Sequence, residues 1–362
     1  MSGMMTGLSA RLVDMAAEFD IPTTRAGVLY SLHFGGFMSC ILLSLAVHGL
    51  RGRLLLARIA AAAYVAALAA AAGAPGLVLA GAALFAAGGC GGVLESHTAT
   101  LQVMTAESEA EAGRVVTITQ VFFAVGALLA PCYLALELPG GWRSLFGILA
   151  ATAMATFFAG TRIRADRFDA APPDNGRLQW RPLLRTSAAL LFYVGAEITL
   201  FGWIPTVMET YHGIPAVRAR LAPSVFWAGM LAGRLLVAHL THRVRPRPLL
   251  LGSAALGILA SVLLAILPGE GFLWGGVVLA SLASAGIWPL VVATSGGAGH
   301  ETGTTIAIAA GGLGAAVFPY LAGRTAEFLP GRFIPIMAAP LFLAVLLLSL
   351  HSKKHAERTK TV

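Results

Sequence analysis

Long apolar runs separated by short polar breaks recur from residue 26 to residue 350 of this 362-residue chain. They fall near 26 to 48, 55 to 73, 76 to 104, 115 to 137, 143 to 160, 187 to 207, 221 to 240, 248 to 267, 271 to 294, 303 to 323 and 333 to 350. Most match the roughly 20 residues that a helix rising 1.5 Å per residue needs to cross a bilayer. In hydrocarbon every backbone amide must find its partner inside the protein, so runs of this length are read as helices. The pattern predicts an all-α, polytopic membrane fold with about 11 full spans.

One connection stands apart. Residues 161 to 185, TRIRADRFDAAPPDNGRLQWRPLLR, are dense in Arg, Asp and Pro and read as a solvated linker. It divides the chain into an N-terminal helical bundle over 1 to 160 and a C-terminal six-helix bundle over 186 to 351, followed by a polar tail over 352 to 362.

Composition agrees: 57% of residues are hydrophobic and 12% charged, against about a quarter charged in a soluble domain. A formal charge of +8 would suggest an acidic partner for a soluble protein. Here the basic residues sit in short loops and report topology, so no nucleic acid is expected. Placing the linker and the HSKKHAERTK tail in the cytoplasm puts Arg51, Arg53, Arg58, Arg243, Arg245 and Arg247 on the same side. The expected setting is a monomeric, multi-pass protein of the cell (inner) membrane, with the lipid bilayer as its surroundings. The N-terminus lacks the basic, apolar and small-residue order of a cleaved signal. Cys40, Cys90 and Cys132 lie inside apolar runs without metal-ligand spacing. With no Walker loop, HExxH or nucleophile elbow, no enzyme activity, metal or cofactor is expected.

The two halves repeat each other. At an offset of 193, Ile21, Pro22, Arg25, Ala26, Ser31 and Gly36 meet Ile214, Pro215, Arg218, Ala219, Ser224 and Gly229. Independently, GALLAP at 126 to 131 pairs with GAAVFP at 314 to 319. Parallel repeats on either side of a basic linker predict two bundles related about the membrane normal, the arrangement of a two-bundle secondary transporter. The same offset sets Met1 against Val194 and Met4 against Glu197, so residues 1 to 19 read as the outer half of a truncated first helix.

Three segments carry a family resemblance: YVGAEITLFGW at 193 to 203, VFFAVGALLAP at 121 to 131 and FWAGMLAGRLL at 226 to 236. The chain resembles the major facilitator superfamily, and these segments look like the seventh, fifth and eighth helices of its fucose and glucose proton-symporter branch. The resemblance implies alternating access, coupling to protons and a small polar solute, sugar-like or another metabolite. Drug or metabolite efflux by antiport, and a non-transporting sensor, are the alternatives. The sequence departs from the pattern in three places. AVHGLRGR keeps only Gly52 and Arg53 of the gating motif after the second helix, the first-helix carboxylate has no counterpart, and Gln120 stands where the branch shows histidine.

Ionisable residues deep in a bilayer are costly and tend to face a cavity or a partner. Away from span ends these are Glu95, Glu197 and Arg234. Helical spacing puts Glu95, Thr98 and Gln102 on one face, fit to line a water-filled path, and the resemblance associates an acidic fourth-helix residue near Glu95 with proton coupling. Glu197 lies near the midplane with Tyr193 on its face, and Trp203 follows where the helix could bend. Glu197 serves either the solute or Arg234 as an ion partner. The Trp288-Pro289 step and Pro319 are read as kinks around a central cavity.

Overall fold

The computed structural model describes residues 2–47, 49–105, 109–162, 179–241, 243–294 and 301–350. Side chains at 50, 99–100, 102–105, 109–118, 120, 292–294, 301–302 and 304 also lie outside the description. The first half comprises α1 (Ser2–Ala10), α2 (Leu12–Glu18), α3 (Val28–Ser44), α4 (Leu50–Ala72), α5 (Leu77–Thr105), α6 (Glu109–Ala135) and α7 (Gly141–Thr161). The second comprises α8 (Trp180–Thr206), α9 (Ala216–Ala219), α10 (Ala222–Leu240), α11 (Pro246–Ile266), α12 (Glu270–Ala285), α13 (Ile287–Thr294), α14 (Glu301–Thr325) and α15 (Ala338–Leu350).

Ten of these stretches are long and apolar enough to cross a membrane among the described residues. The eleventh predicted span is α6, whose apolar described part is Val121–Ala135. Two sequence-derived bounds shift. The span expected over 271 to 294 is broken at Gly286, because Pro289 has no N–H for the carbonyl four residues back. The helix expected from 187 starts at Trp180, since Pro182 is tolerated in a first turn where the amide would be unbonded anyway. Residues 163–178 of the linker and the tail over 352–362 lie outside the described residues.

The internal repeat is visible in backbone geometry. Pro22 and Pro215 open equivalent turns with φ −55, ψ 135 and φ −52, ψ 133. The Arg25 and Arg218 amides then bond back to the Pro22 and Pro215 carbonyls at 2.8 and 2.9 Å. Gly36 on α3 and Gly229 on α10 repeat as well: a methyl on Gly36 would collide with the Phe85 carbonyl of α5, and one on Gly229 with Ser281 of α12. These two glycines let the paired helices approach closely, α3 onto the backbone of α5 and α10 onto the Ser281 side chain of α12.

Residues 2–18 stand inside this arrangement. Every residue of α1 is buried; Gly3 packs on α6, and Gly7 meets Leu145 of α7. The helical run is interrupted at Arg11, whose guanidinium bonds Asp14 at 2.7 Å and the Leu134 carbonyl at 2.8 Å.

The halves are joined at one face, the one away from the α7–α8 connection. Prolines inside helices free carbonyls three and four residues back, and in a membrane those carbonyls need another donor. Pro205 does so in α8: Ser9 Oγ donates to the Phe201 carbonyl at 2.6 Å, and the Tyr30 hydroxyl to that of Gly202 at 3.2 Å. Pro319 does so in α14, where Ser31 Oγ donates to the Ala316 carbonyl at 2.5 Å. Pro131 does so in α6, where Ser224 Oγ donates to the Leu128 carbonyl at 2.7 Å. Ser31 and Ser224 are repeat equivalents, and so are Ala316 and Leu128. Each half therefore reaches into the other with the same bond. Outside this ring, Arg220 bonds Asp14 at 3.1 Å and Glu137 at 2.6 Å, and Arg25 bonds Glu327 at 3.3 Å.

Candidate functional site

Behind that sealed face lies a cavity of about 660 Å³, within the roughly 300–1,000 Å³ usual for small-molecule sites. Both halves line it: Met5, Phe34, Phe37, Glu95 and Phe123 from the first, and residues of α8, α10, α13 and α14 from the second. Thr241 and Pro246, which flank the α10–α11 connection, also line it, so the cavity extends to the face at which α7 ends and α8 begins. Ser31, Tyr30 and Ser9 close the other end.

Glu95, Tyr193, Glu197 and Arg234, four of the residues singled out in the sequence, meet around this one space. Glu197 is 8% exposed in the interior of α8, and the Arg234 guanidinium on α10 interacts electrostatically with both Glu197 and Tyr193. The Tyr193 hydroxyl donates to the Ser284 carbonyl at 3.0 Å, which ties α8 to α12. Arg234 also lies 6.0 Å from the centre of the Trp227 ring.

Two sequence candidates sit apart from the cavity. Thr98 gives its hydroxyl to the Leu94 carbonyl of its own helix. Trp203 is fully buried at the sealed end, with its indole N–H on the Pro319 carbonyl at 2.8 Å. The side chains of Gln102 and Gln120 lie outside the described residues. Arg53, the remnant of the gating motif, donates to His97 Nδ1 at 3.4 Å, two residues from Glu95. It thereby joins α4 to α5.

Most of the remaining wall is aromatic or aliphatic. Phe123 and Trp227 face each other across the halves with ring centres 5.4 Å apart, and Phe34 and Phe37 form an edge-to-face pair at 6.1 Å. Trp227 Nε1 is buried without a hydrogen-bond partner, which leaves a donor on the wall unfilled. Trp288 and Pro289 line the cavity immediately after the break between α12 and α13. Sequence reasoning found that break but not the aromatic wall: Phe and Trp are ordinary residues of membrane spans, and no local signal separates a ring facing lipid from one facing a cavity. No group of three or more potential metal ligands occurs among the described residues.

The sequence profile of the Major Facilitator Superfamily matches residues 1–310. The chain is similar to the Saccharomyces cerevisiae protein named Bypass of stop codon protein 6, at 29% identity over 43% of this chain. That match spans 35% of the yeast protein's length. In three dimensions it is similar to a D-xylose-proton symporter, with a TM-score of 0.73, 13% identity and coverage of 98% of this chain and 95% of that one. It is also similar to the transporter FucP in the outward conformation, with a TM-score of 0.69, 14% identity and coverage of 97% of both chains. At these identities the structural likeness speaks for the fold.

Proposed function

Because the chain belongs to the Major Facilitator Superfamily, we propose that it moves a small organic solute across the membrane by alternating access, with Glu95 and Glu197 coupling that movement to protons. The observation that carries this reading is one cavity, built from both halves, which holds both carboxylates and is sealed at a single face. The two halves would rock about it, each state sealing one face. A buried carboxylate is costly in its charged form unless a cation or a proton accompanies it. Arg234 provides that company at Glu197. Glu95 on the opposite wall is then the proton carrier, and Glu197 holds the solute or its counter-ion.

The basic loops support a cytoplasmic α7–α8 connection in a cell-membrane protein. The state described by the structure is then inward-facing, and a monomer contains the whole site. For the solute itself, the aromatic wall supports a molecule with a large apolar face more than the sugar-like solute suggested by the branch resemblance. Efflux of a metabolite or drug thus gains on sugar import.

The test is uptake into proteoliposomes under an imposed pH gradient, screened over a labelled metabolite panel, for the wild type and for Glu95→Gln and Glu197→Gln. Glutamine keeps the shape but cannot exchange a proton. Glu95→Gln is expected to abolish gradient-driven accumulation, by at least tenfold, while retaining solute exchange. Accumulation at wild-type levels in both variants would show the carboxylates to be structural.

A further inference from the structure

The cavity wall carries a chemical preference that the family alone does not specify. A polyhydroxylated solute loses water from every hydroxyl on entry, and each hydroxyl must be met by a protein group or left unsatisfied. The described wall is poor in such groups. The Tyr193 hydroxyl is given to the Ser284 carbonyl, and that of Thr241 to the Ala238 carbonyl at 2.7 Å. The charge of the Arg234 guanidinium is opposed by the nearby Glu197 carboxylate. What remains toward the space is the Phe123–Trp227 pair with one unfilled indole N–H, the Phe34–Phe37 pair, Trp288, the Arg234 guanidinium, and the carboxylates on α5 and α8.

Aromatic faces carry negative charge density and attract cations held over them. Two carboxylates against one guanidinium leave the described lining with a formal excess of negative charge. Resting on the transporter reading above, we infer that the site takes an organic monocation with an apolar, ring-bearing body, such as a hydrophobic amine or quaternary onium ion. The rings of Phe34, Phe123, Trp227 and Trp288 cover its body, and the carboxylates of Glu95 and Glu197 face its charge. An anion of the same shape meets the same rings with the opposite electrostatics, and a sugar meets too few partners.

Two probes of nearly identical shape and opposite charge separate these cases: tetraphenylphosphonium and tetraphenylborate. Their binding to the purified full chain in detergent is read by quenching of tryptophan fluorescence, with D-xylose and L-fucose alongside. The expected result is saturable quenching by the phosphonium at least tenfold tighter than by the borate, no saturable signal from the sugars, and a tenfold or greater weakening in Glu197→Gln. Trp227→Phe, which keeps a ring, is expected to retain binding, whereas Trp227→Leu loses it. Equal or tighter binding of the borate, or saturation by a sugar without phosphonium binding, overturns the assignment. The transport reading is judged separately in proteoliposomes. Phosphonium that binds but never moves under a pH gradient refutes transport and leaves the ligand class standing. Gradient-driven movement of a sugar that phosphonium does not inhibit refutes the class and leaves transport standing.

Discussion

Arg218 and Arg220 lie two residues apart at the sealed face and are held in different ways. The side chain of Arg218 is 56% exposed and pairs with Glu270 at 3.0 Å, whereas that of Arg220 is 6% exposed and holds Asp14 and Glu137 from the other half. An exposed pair contributes roughly 0–1 kcal/mol, after screening and side-chain entropy are set against the attraction. Removing a buried arginine that donates to two carboxylates forfeits charged hydrogen bonds, about 1–3 kcal/mol, reduced here because the acids are partly in water. Arg220→Ala is therefore expected to lower the thermal unfolding midpoint of the detergent-solubilised protein by several degrees, and Arg218→Ala to leave it unchanged within error. Equal effects would show that burial does not distinguish the two. Part of the cavity lining was legible at this scale. Glu95, Glu197 and Arg234 stand out because charges deep in apolar runs are rare, and Tyr193 follows from helical spacing. Arg220, Asp14 and Glu137 were illegible, since a charge near a span end looks like any boundary residue until the fold brings it to a partner.

At the scale of elements, the span pattern and the duplication were readable because membrane helices obey a length rule and the repeats keep their spacing. What could not be read was which hydroxyl meets which freed carbonyl. Pro319 announces a kink and Pro131 is its repeat equivalent, but the donors Ser31 and Ser224 come from the opposite half, about a hundred or more residues away in sequence. The break at Gly286 was readable as a kink at the Trp288-Pro289 step, but not its exact place, because apolar character runs through it without interruption. The paired serine bonds give a specific expectation. Each contributes about 0.5–1.5 kcal/mol to the sealed face, so losing both shifts the balance between states by roughly tenfold, at 1.4 kcal/mol per decade. In a background without native cysteines and with Met5→Cys inside the cavity, the double variant Ser31→Ala, Ser224→Ala is expected to be alkylated about ten times faster from the sealed side. An unchanged rate would mean that the Arg220 and Arg25 ion pairs hold that face alone.

For the whole molecule, membership in the superfamily, the two-bundle fold and a central space between the halves were all foreseeable from one chain. The conformational state was not, because a sequence serves every state of the cycle equally. The structure holds the state in which Ser31, Ser224, Arg25 and Arg220 close one face while the cavity reaches Thr241 and Pro246 at the other. Alternating access requires a second state with these relations exchanged. The most direct measurement is pulsed electron paramagnetic resonance on the reconstituted protein. One pair of spin labels at Thr24 and Phe328 reports the sealed face, and another at Ala46 and Thr241 reports the opposite one, each in the presence and absence of tetraphenylphosphonium and at high and low pH. Alternating access predicts reciprocal changes: conditions that lengthen the Thr24–Phe328 distance shorten the Ala46–Thr241 distance. Distances that stay fixed at both faces under every condition, or that lengthen together, would contradict it.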